Sequence, residues 1–376
     1  MAPIPIVAFR QRQSETLDTL RQMVETESPT TDKTAVDALG AWIAARLEAL
    51  GFAIERLGQA DAGDHWLARW GDGEGGILLL HHIDTVFPVG TLERTPWRVD
   101  GDLAFGPGVL DMKGGVAVTL AALAGIVRHG VSPARPVWCL LTSDEETGSR
   151  TSRAIIEDLA RRSSLVLVLE PARPDGAVKT RRKGTGVFVV EAIGRAAHAG
   201  NDPEKGVNAI EEIALQVPRI HALADPSRGT TVSVGVIEGG TRANVIPERC
   251  RLRVDVRALD EAEQRRVEAG FAALRPILPE ARLEIGGGWN RPAMERTPAV
   301  AGAYERARRL GEQLGLSIVD GAAGGGSDAN FVAALGLSVL DGLGPVGEGP
   351  HSEREFIRIP SLFERAALLA ALLTEP

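Results

Sequence analysis

The chain between Ile77 and Val86 reads Ile-Leu-Leu-Leu-His-His-Ile-Asp-Thr-Val. Unbroken aliphatic residues from Ile77 to Leu80 predict a strand buried on both faces. The run stops at two histidines and an aspartate. The pattern recurs twice. Val137–Thr142 leads into Ser-Asp-Glu-Glu over 143–146, and Leu165–Leu169 leads into Glu170. In open α/β sheets, ligands bind beyond the carboxyl ends of the strands. Helical periodicity covers 10–27 and 33–50, where Gly51 stops it, and short strands are expected over 52–57, 65–70 and 76–81. The segment 106–115, Gly-Pro-Gly-Val-Leu-Asp-Met-Lys-Gly-Gly, opens an apolar helix that runs to about His129. Strand alternating with helix predicts an α/β fold, a mostly parallel sheet flanked by helices. Residues 85–110 are rich in Gly, Pro and charge and predict a long loop over the strand ends.

The pattern changes near 184. Strands are expected at Gly186–Ile193, Thr230–Ile237, Arg249–Val256 and Arg282–Ile285, with helices at Gly206–Leu223 and Asp260–Leu274. That order, βαββαβ, is a ferredoxin-like unit. It predicts a small domain over 182–291 inserted into a larger one formed by 1–181 and 292–376. The last segment returns to α/β character. It has a helix over about 298–314, a Gly-Gly-Gly-Ser-Asp-Ala run at 324–329 opening another, the strand Val339-Leu340, a Gly-rich loop with His351, and a closing helix over about 360–373.

Composition narrows the class. The chain has 376 residues, 44% of them hydrophobic and 24% charged, which suits an ordinary globular protein with a large core. A net charge of −8 argues against a nucleic-acid partner, which needs clustered Lys and Arg. Cys139 and Cys250 lie in apolar contexts and form no CxxC pair, so they are expected as buried thiols and not as a zinc site. The N-terminal segment has no basic region followed by an apolar one, and no uninterrupted apolar run reaches about 18 residues. A cytoplasmic location without a membrane partner is the expectation.

His82, Asp111, Glu146, Glu170 and His351 are the candidate metal ligands. Mixed imidazole and carboxylate donors suit zinc, and also cobalt or manganese. Five are too many for one tetrahedral ion with an open position; they suit two ions sharing a carboxylate. Such a site acidifies water and polarises a carbonyl at once. In the pair Glu145-Glu146, one residue can ligate while the other acts as general base. Asp84, two positions from His82, is expected to orient the imidazole.

These motifs resemble the M20 family of co-catalytic metallopeptidases, and within it the glutamate carboxypeptidase (carboxypeptidase G2-like) branch. The matching stretches are His82–Val86, Gly108–Gly115, Thr142–Ser149, Gly194–Gly200 (Gly-Arg-Ala-Ala-His-Ala-Gly), Asn244–Pro247, Gly324–Ala329 and Gly349–Ser352. The resemblance implies a di-zinc exopeptidase fold whose inserted domain is a lid and dimerisation domain. It implies that Asp111 bridges two Zn2+ ions, with His82 and Glu170 completing one set and Glu146 and His351 the other. Glu145 is then the general base and Asp84 the support of His82. A cis peptide is implied after Asp111. His81 departs from the family's small Gly, but the spacing to Asp84 favours His82 as ligand.

In the inserted domain, His198 matches a family position that stabilises the oxyanion and reaches a partner's active site. Asn244 and Gly326 match substrate-contacting positions. Arg291 and Arg257 are candidate clamps for a free carboxylate, with a surface ion pair as the alternative for each. The implied activity is hydrolysis of the amide bond next to a C-terminal amino acid with a free carboxylate, glutamate by resemblance alone. The substrate would be a small N-acyl amino acid or peptide, and the enzyme a homodimer. Alternatives are an acetylornithine deacetylase-type or succinyl-diaminopimelate desuccinylase-type deacylase, a small-peptide peptidase, and a catalytically silent scaffold. The scaffold is disfavoured by the presence of Glu145 and all five ligands. A mononuclear HExxH aminopeptidase fits poorly, because the motif is missing.

Overall fold

The computed structural model describes residues 2–375. The chain divides into two compact units. One comprises Met1–Thr180, Arg296–Ala323 and Ser327–Pro376; the other comprises Arg181–Glu295 with Gly324–Gly326.

The larger unit is built on a six-stranded sheet. Its strands are β1 (Ala53–Leu57), β2 (His65–Trp70), β3 (Gly76–His82), β4 (Val137–Thr142), β5 (Ser163–Val168) and the short Val339–Leu340, in the order β1-β2-β4-β3-β5 followed by 339–340. Pairings from β4 through β3 and β5 to Val339–Leu340 are parallel, while β1 and β2 add an antiparallel edge. Every residue of β3 and β4 is buried, as continuous aliphatic runs require when helices cover both faces. Helix α1 (Lys33–Ala49) starts where Asp32 accepts from the Ala35 N–H, and Gly51 with φ of 97° follows its end.

Helix α2 (Gly114–Arg128) packs against the C-terminal helix Ile359–Thr374 in the main core. The stretch Val109–Arg128 is long and apolar enough to cross a membrane, although Asp111 and Lys113 interrupt its apolar residues. It is 83% buried inside the unit, as a core helix is. Its start lies directly on the end of the sheet: a Cβ on Gly115 would stand 2.0 Å from the Leu169 carbonyl oxygen. Only glycine permits that approach, and it brings the Asp111 segment beside the strand end that carries Glu170.

The loop expected over 85–110 is more structured than the sequence suggests. It contains a short helix, Thr91–Arg94, and the antiparallel strands Arg98–Asp100 and Leu103–Phe105. The second of these pairs with Phe356–Arg358, which in turn pairs with Gly347–Glu348. These strands are two or three residues long, too short for a periodicity to announce them.

The second unit has the order β6 (Gly184–Ile193), α3 (Ala209–His221), β7 (Thr231–Gly239), β8 (Arg249–Ala258), α4 (Glu261–Ala272) and β9 (Arg282–Arg291). Its antiparallel sheet runs β7-β8-β6-β9, the ferredoxin-like arrangement. Phe188 and Phe271 stack in its core with centroids 4.2 Å apart. Strand β9 runs six residues beyond the expected Ile285, to Arg291, because Gly286-Gly287-Gly288 hides the alternation. Gly287, with φ of 75°, could not carry a Cβ, which would lie 2.1 Å from the Val187 carbonyl oxygen. Cys139 and Cys250 are free and buried.

One buried carboxylate gives the second unit a pH signature. Glu263 accepts from Arg266 and Arg228 and, at 2.6 Å, from the Thr230 hydroxyl. Arg266 above all, outweighing the opposing effect of burial, holds its carboxyl down at about 2. A carboxyl whose folded value is depressed stabilises above its ordinary value near 4.5 and loses that contribution as pH falls toward about 2. Glu263→Gln is expected to cost about 1–3 kcal/mol at pH 7. In thermal melts its deficit against the wild type should shrink between pH 4.5 and 2; a deficit independent of pH would contradict this assignment.

Candidate metal centre

The three central strands of the larger sheet each deliver one candidate ligand at the carboxyl end. His82 is the last residue of β3. Glu146 lies in the single turn Glu145–Thr147 that follows β4, and Glu170 lies just after β5. Asp111 comes from the segment before α2, where the Asp111–Met112 peptide is cis. His351 comes from the loop before Phe356–Arg358 and adopts φ of 62°. The structure brings all five together.

The atoms fall into two sets that meet at Asp111. Its Oδ1 lies 3.1 Å from His82 Nε2, which also faces Glu170 Oε1 at 3.5 Å. Its Oδ2 lies 3.3 Å from His351 Nε2, which also faces Glu146 Oε2 at 3.3 Å. Ligand atoms around a tetrahedral ion with bonds of about 2.0–2.1 Å stand about 3.3 Å apart. The four separations therefore suit two adjacent coordination shells sharing one carboxylate, each with three protein donors and room for a further ligand. The donor chemistry, imidazole plus carboxylate, suits a borderline or hard divalent cation.

The electrostatics agree. Burial alone would depress His82, but Asp111, Asp84 and Glu170 raise it well above the usual histidine value. Asp111 and Glu146 raise His351 to about 10. Burial pushes Asp111 up, yet the two histidines outweigh it and hold the carboxyl well below the usual range. Burial pushes Glu146 up. So much carboxylate in one place demands positive charge, and without cations the imidazoles supply it as protons. Metal ligation requires neutral imidazole, so cations and protons compete for the same nitrogens.

Several supports lie around the ligands. Asp84 is fully buried, and its backbone and side chain have different partners. His82 Nδ1 bonds the Asp84 backbone carbonyl at 3.0 Å, while the carboxylate oxygen stands 3.5 Å away. The carboxylate instead accepts from the backbone N–H groups of Glu145 and Glu146, at 3.3 and 3.1 Å, and from the Thr30 hydroxyl at 2.7 Å. Asp84 thus orients His82 through its backbone and pins the Glu145-Glu146 turn through its side chain. The neighbouring Asp144 accepts from Thr151 and Ser152, which fixes the other side of that turn. His81 points to the opposite face of β3, bonding Thr119 at 2.8 Å, as strand alternation requires.

Two supporting residues escape the sequence reading. Lys179 is buried with Nζ 4.0 Å from Glu170 Oε2. Glu355 accepts backbone N–H bonds from Gly108, Leu110 and Asp111. Burial and the Asp111 charge push its carboxyl up to about 8, against the pull of those donors. A cation on Asp111 relieves the second cause.

The other candidates belong to the second unit. His198 is exposed, and its Nδ1 accepts from the Gly200 and Asn201 N–H groups at 3.1 and 3.0 Å. The neutral ring therefore carries its proton on Nε2, as a donor. The Asn244 carbonyl accepts from the Ala199 N–H, holding these two segments together. Arg291 is buried with its Cδ against Gly326, where a Cβ would come within 2.8 Å. Arg257 is committed elsewhere: its guanidinium grips Asp255 through two bonds, of 2.8 and 2.7 Å. The expected carboxylate clamp is there an ion pair along β8.

Two tests follow from this geometry. Chelation should lower the melting temperature and zinc should restore it, because a ligand that binds only the folded state adds about 4 kcal/mol at a thousandfold excess over Kd. Identical melts with and without metal would contradict the site. Asp84→Ala should weaken metal binding and activity about 10–100-fold with the fold retained, as loss of a residue supporting ligands does. Titration of the metal-free variant with zinc measures it, and wild-type affinity would count against the role given to Asp84.

Residues 78–375 match the model of peptidase family M20/M25/M40. The chain is similar to carboxypeptidase G2 of Pseudomonas sp. (strain RS-16), with 32% identity across 98% of this chain and 91% of that protein. It is also similar to the succinyl-diaminopimelate desuccinylase of Dinoroseobacter shibae, with 30% identity across 88% of this chain and 92% of that one. Among solved structures, aminopeptidase PepT from Bacillus cereus ATCC 10987 has the same fold, with a TM-score of 0.75 and 21% identity over 96% of this chain and 98% of that one. With an Asp111 carboxylate facing two ligand pairs and a family match spanning most of its length, the chain belongs to peptidase family M20/M25/M40 and is a metal-dependent peptidase or amidohydrolase.

Proposed function

We propose that this hydrolase cleaves the amide bond that joins an acyl group or peptide to a C-terminal amino acid with a free carboxylate, with glutamate as the preferred residue. The observation that carries the chemistry is the two-sided Asp111, with His82 and Glu170 on one oxygen and His351 and Glu146 on the other. These five residues would hold two divalent ions, zinc by donor type. When bound, the ions supply Lewis acidity that acidifies water and polarises a carbonyl.

The protein's own groups do the rest. Glu145 shares its turn with Glu146, and its charge acts on His82. It takes the proton of the attacking water and returns it to the leaving nitrogen. His198, with its proton on Nε2, donates to the oxygen on which charge develops. Arg291 pairs with the free carboxylate, for which a planar guanidinium has the matching geometry. The preference for glutamate rests on likeness to carboxypeptidase G2 over nearly the whole chain. We further propose that the protein is a homodimer through its second unit, which a monomer in sedimentation at assay concentration would refute.

A second reading is favoured by the likeness to a desuccinylase: removal of a succinyl or acetyl group from an amino acid. Zinc-loaded protein assayed on N-acyl-glutamates, N-succinyl and N-acetyl amino acids separates the two. The highest kcat/KM is expected on acyl-glutamates; dominance of succinyl or acetyl amides would select the second reading. Glu145→Gln should lose about 10^2–10^4-fold in kcat with metal content intact. His198→Ala should lose about 10^2–10^3-fold in kcat. Wild-type turnover in either variant would remove that residue from the mechanism.

A further inference from the structure

The bridging carboxylate and the most exposed ligand come from segments far apart in sequence. Asp111 lies in Gly106–Lys113, and His351 in the loop from Gly349 to Glu355. One side chain joins them. Glu355 is 2% exposed. Its Oε2 accepts from the Gly108 N–H at 3.1 Å, and its Oε1 accepts from Leu110 and Asp111 at 2.7 and 2.9 Å. Gly108 takes φ of 72°, which helps turn these N–H groups toward one point and form an anion-binding concavity.

On its own side Glu355 closes the His351 loop. Its N–H donates to the Ser352 carbonyl at 3.1 Å, and the Ser352 hydroxyl donates to the Gly349 carbonyl at 2.8 Å. The strand that follows, Phe356–Arg358, pairs with Leu103–Phe105, which leads directly into the Asp111 segment. The two ligand segments are therefore tied twice, by a short strand pairing and by this carboxylate, and the carboxylate reaches the backbone of the bridging residue itself.

We propose that Glu355 is a positioning residue that sets where Asp111 stands relative to His351, and with it the affinity of the ion site formed by Asp111, Glu146 and His351. This rests on the reading that the centre holds two ions. The site of His82 and Glu170 depends less on Glu355, because those residues sit at the ends of adjacent paired strands. Asymmetry between the two sites is the signature that separates positioning from general support. Glutamine at 355 would turn an NH2 donor toward N–H donors and leave at least one of them without an acceptor.

The test is titration of metal-free wild type, Glu355→Gln and Glu355→Asp with zinc alone, with circular dichroism melts of the same metal-free samples. Wild type should bind two ions. Both variants should keep a cooperative melt and a near wild-type first ion, and lose about 10–100-fold in affinity for the second. Wild-type affinity for both ions in Glu355→Gln would overturn the inference and leave the two-ion reading standing. Equal weakening of both ions, or a lost cooperative melt in both variants, would make Glu355 a general support and overturn its selective role. A wild type that binds one ion would overturn the two-ion reading and this inference together.

Discussion

Concentrated negative charge is the constraint on which the larger unit depends. Asp84, Asp111, Glu146 and Glu170 converge at one end of a sheet, Asp84 and Glu170 of them buried, with Glu145 beside them and Glu355 behind Asp111. Carboxylates removed from water need opposite charge or hydrogen-bond donors. The fold answers in two ways. Asp84 and Glu355 point at backbone N–H groups, so their oxygens organise chain segments as hydrogen-bond acceptors. Asp111, Glu146 and Glu170 point at imidazoles, so their charge organises cations.

The sheet makes that convergence rigid. Strands β4, β3 and β5 are adjacent and parallel, and each ends beside a ligand. Neighbouring strands stand about 4.8 Å apart, so side chains leaving three of them can meet around a pair of ions. Asp111 and His351 then arrive from outside the sheet on segments that share a small sheet of their own. Two of the five, His82 and Glu170, therefore rest on long paired strands or their immediate ends, and three, Glu146, Asp111 and His351, on segments whose placement needs extra ties. Asp84 supplies such a tie for the Glu145-Glu146 turn, and Glu355 supplies one for Asp111.

Much of this was legible in the sequence, for a physical reason. A strand buried on both faces must be an unbroken aliphatic run, so polar residues at its end stand out: His82, Glu170 and the Glu145-Glu146 pair. The ferredoxin-like order was legible because strand-like and helix-like stretches follow one another over 186–285 in the order βαββαβ. What hid was whatever depends on remote pairing. The strand Leu103–Phe105 is three residues long and sits in the middle of its small sheet because Phe356–Arg358 pairs with its far edge. Glu355 sits in a run of polar and charged residues, Ser-Glu-Arg-Glu, and reads as exposed surface. For Arg257 the sequence left a carboxylate clamp and a surface ion pair open, and the bonds to Asp255, two residues away on one strand face, make it the ion pair. Asp84 was found as a support of His82, but only the structure shows that its carboxylate holds the next turn.

The central claim of this chemistry is a pair of ions sharing Asp111. The most direct measurement is diffraction at the zinc absorption edge from crystals of the zinc-loaded protein. Two anomalous peaks per chain are expected, one among His82, Asp111 and Glu170 and the other among Asp111, Glu146 and His351. A single peak, or a pair in which Asp111 contacts only one ion, would contradict that claim.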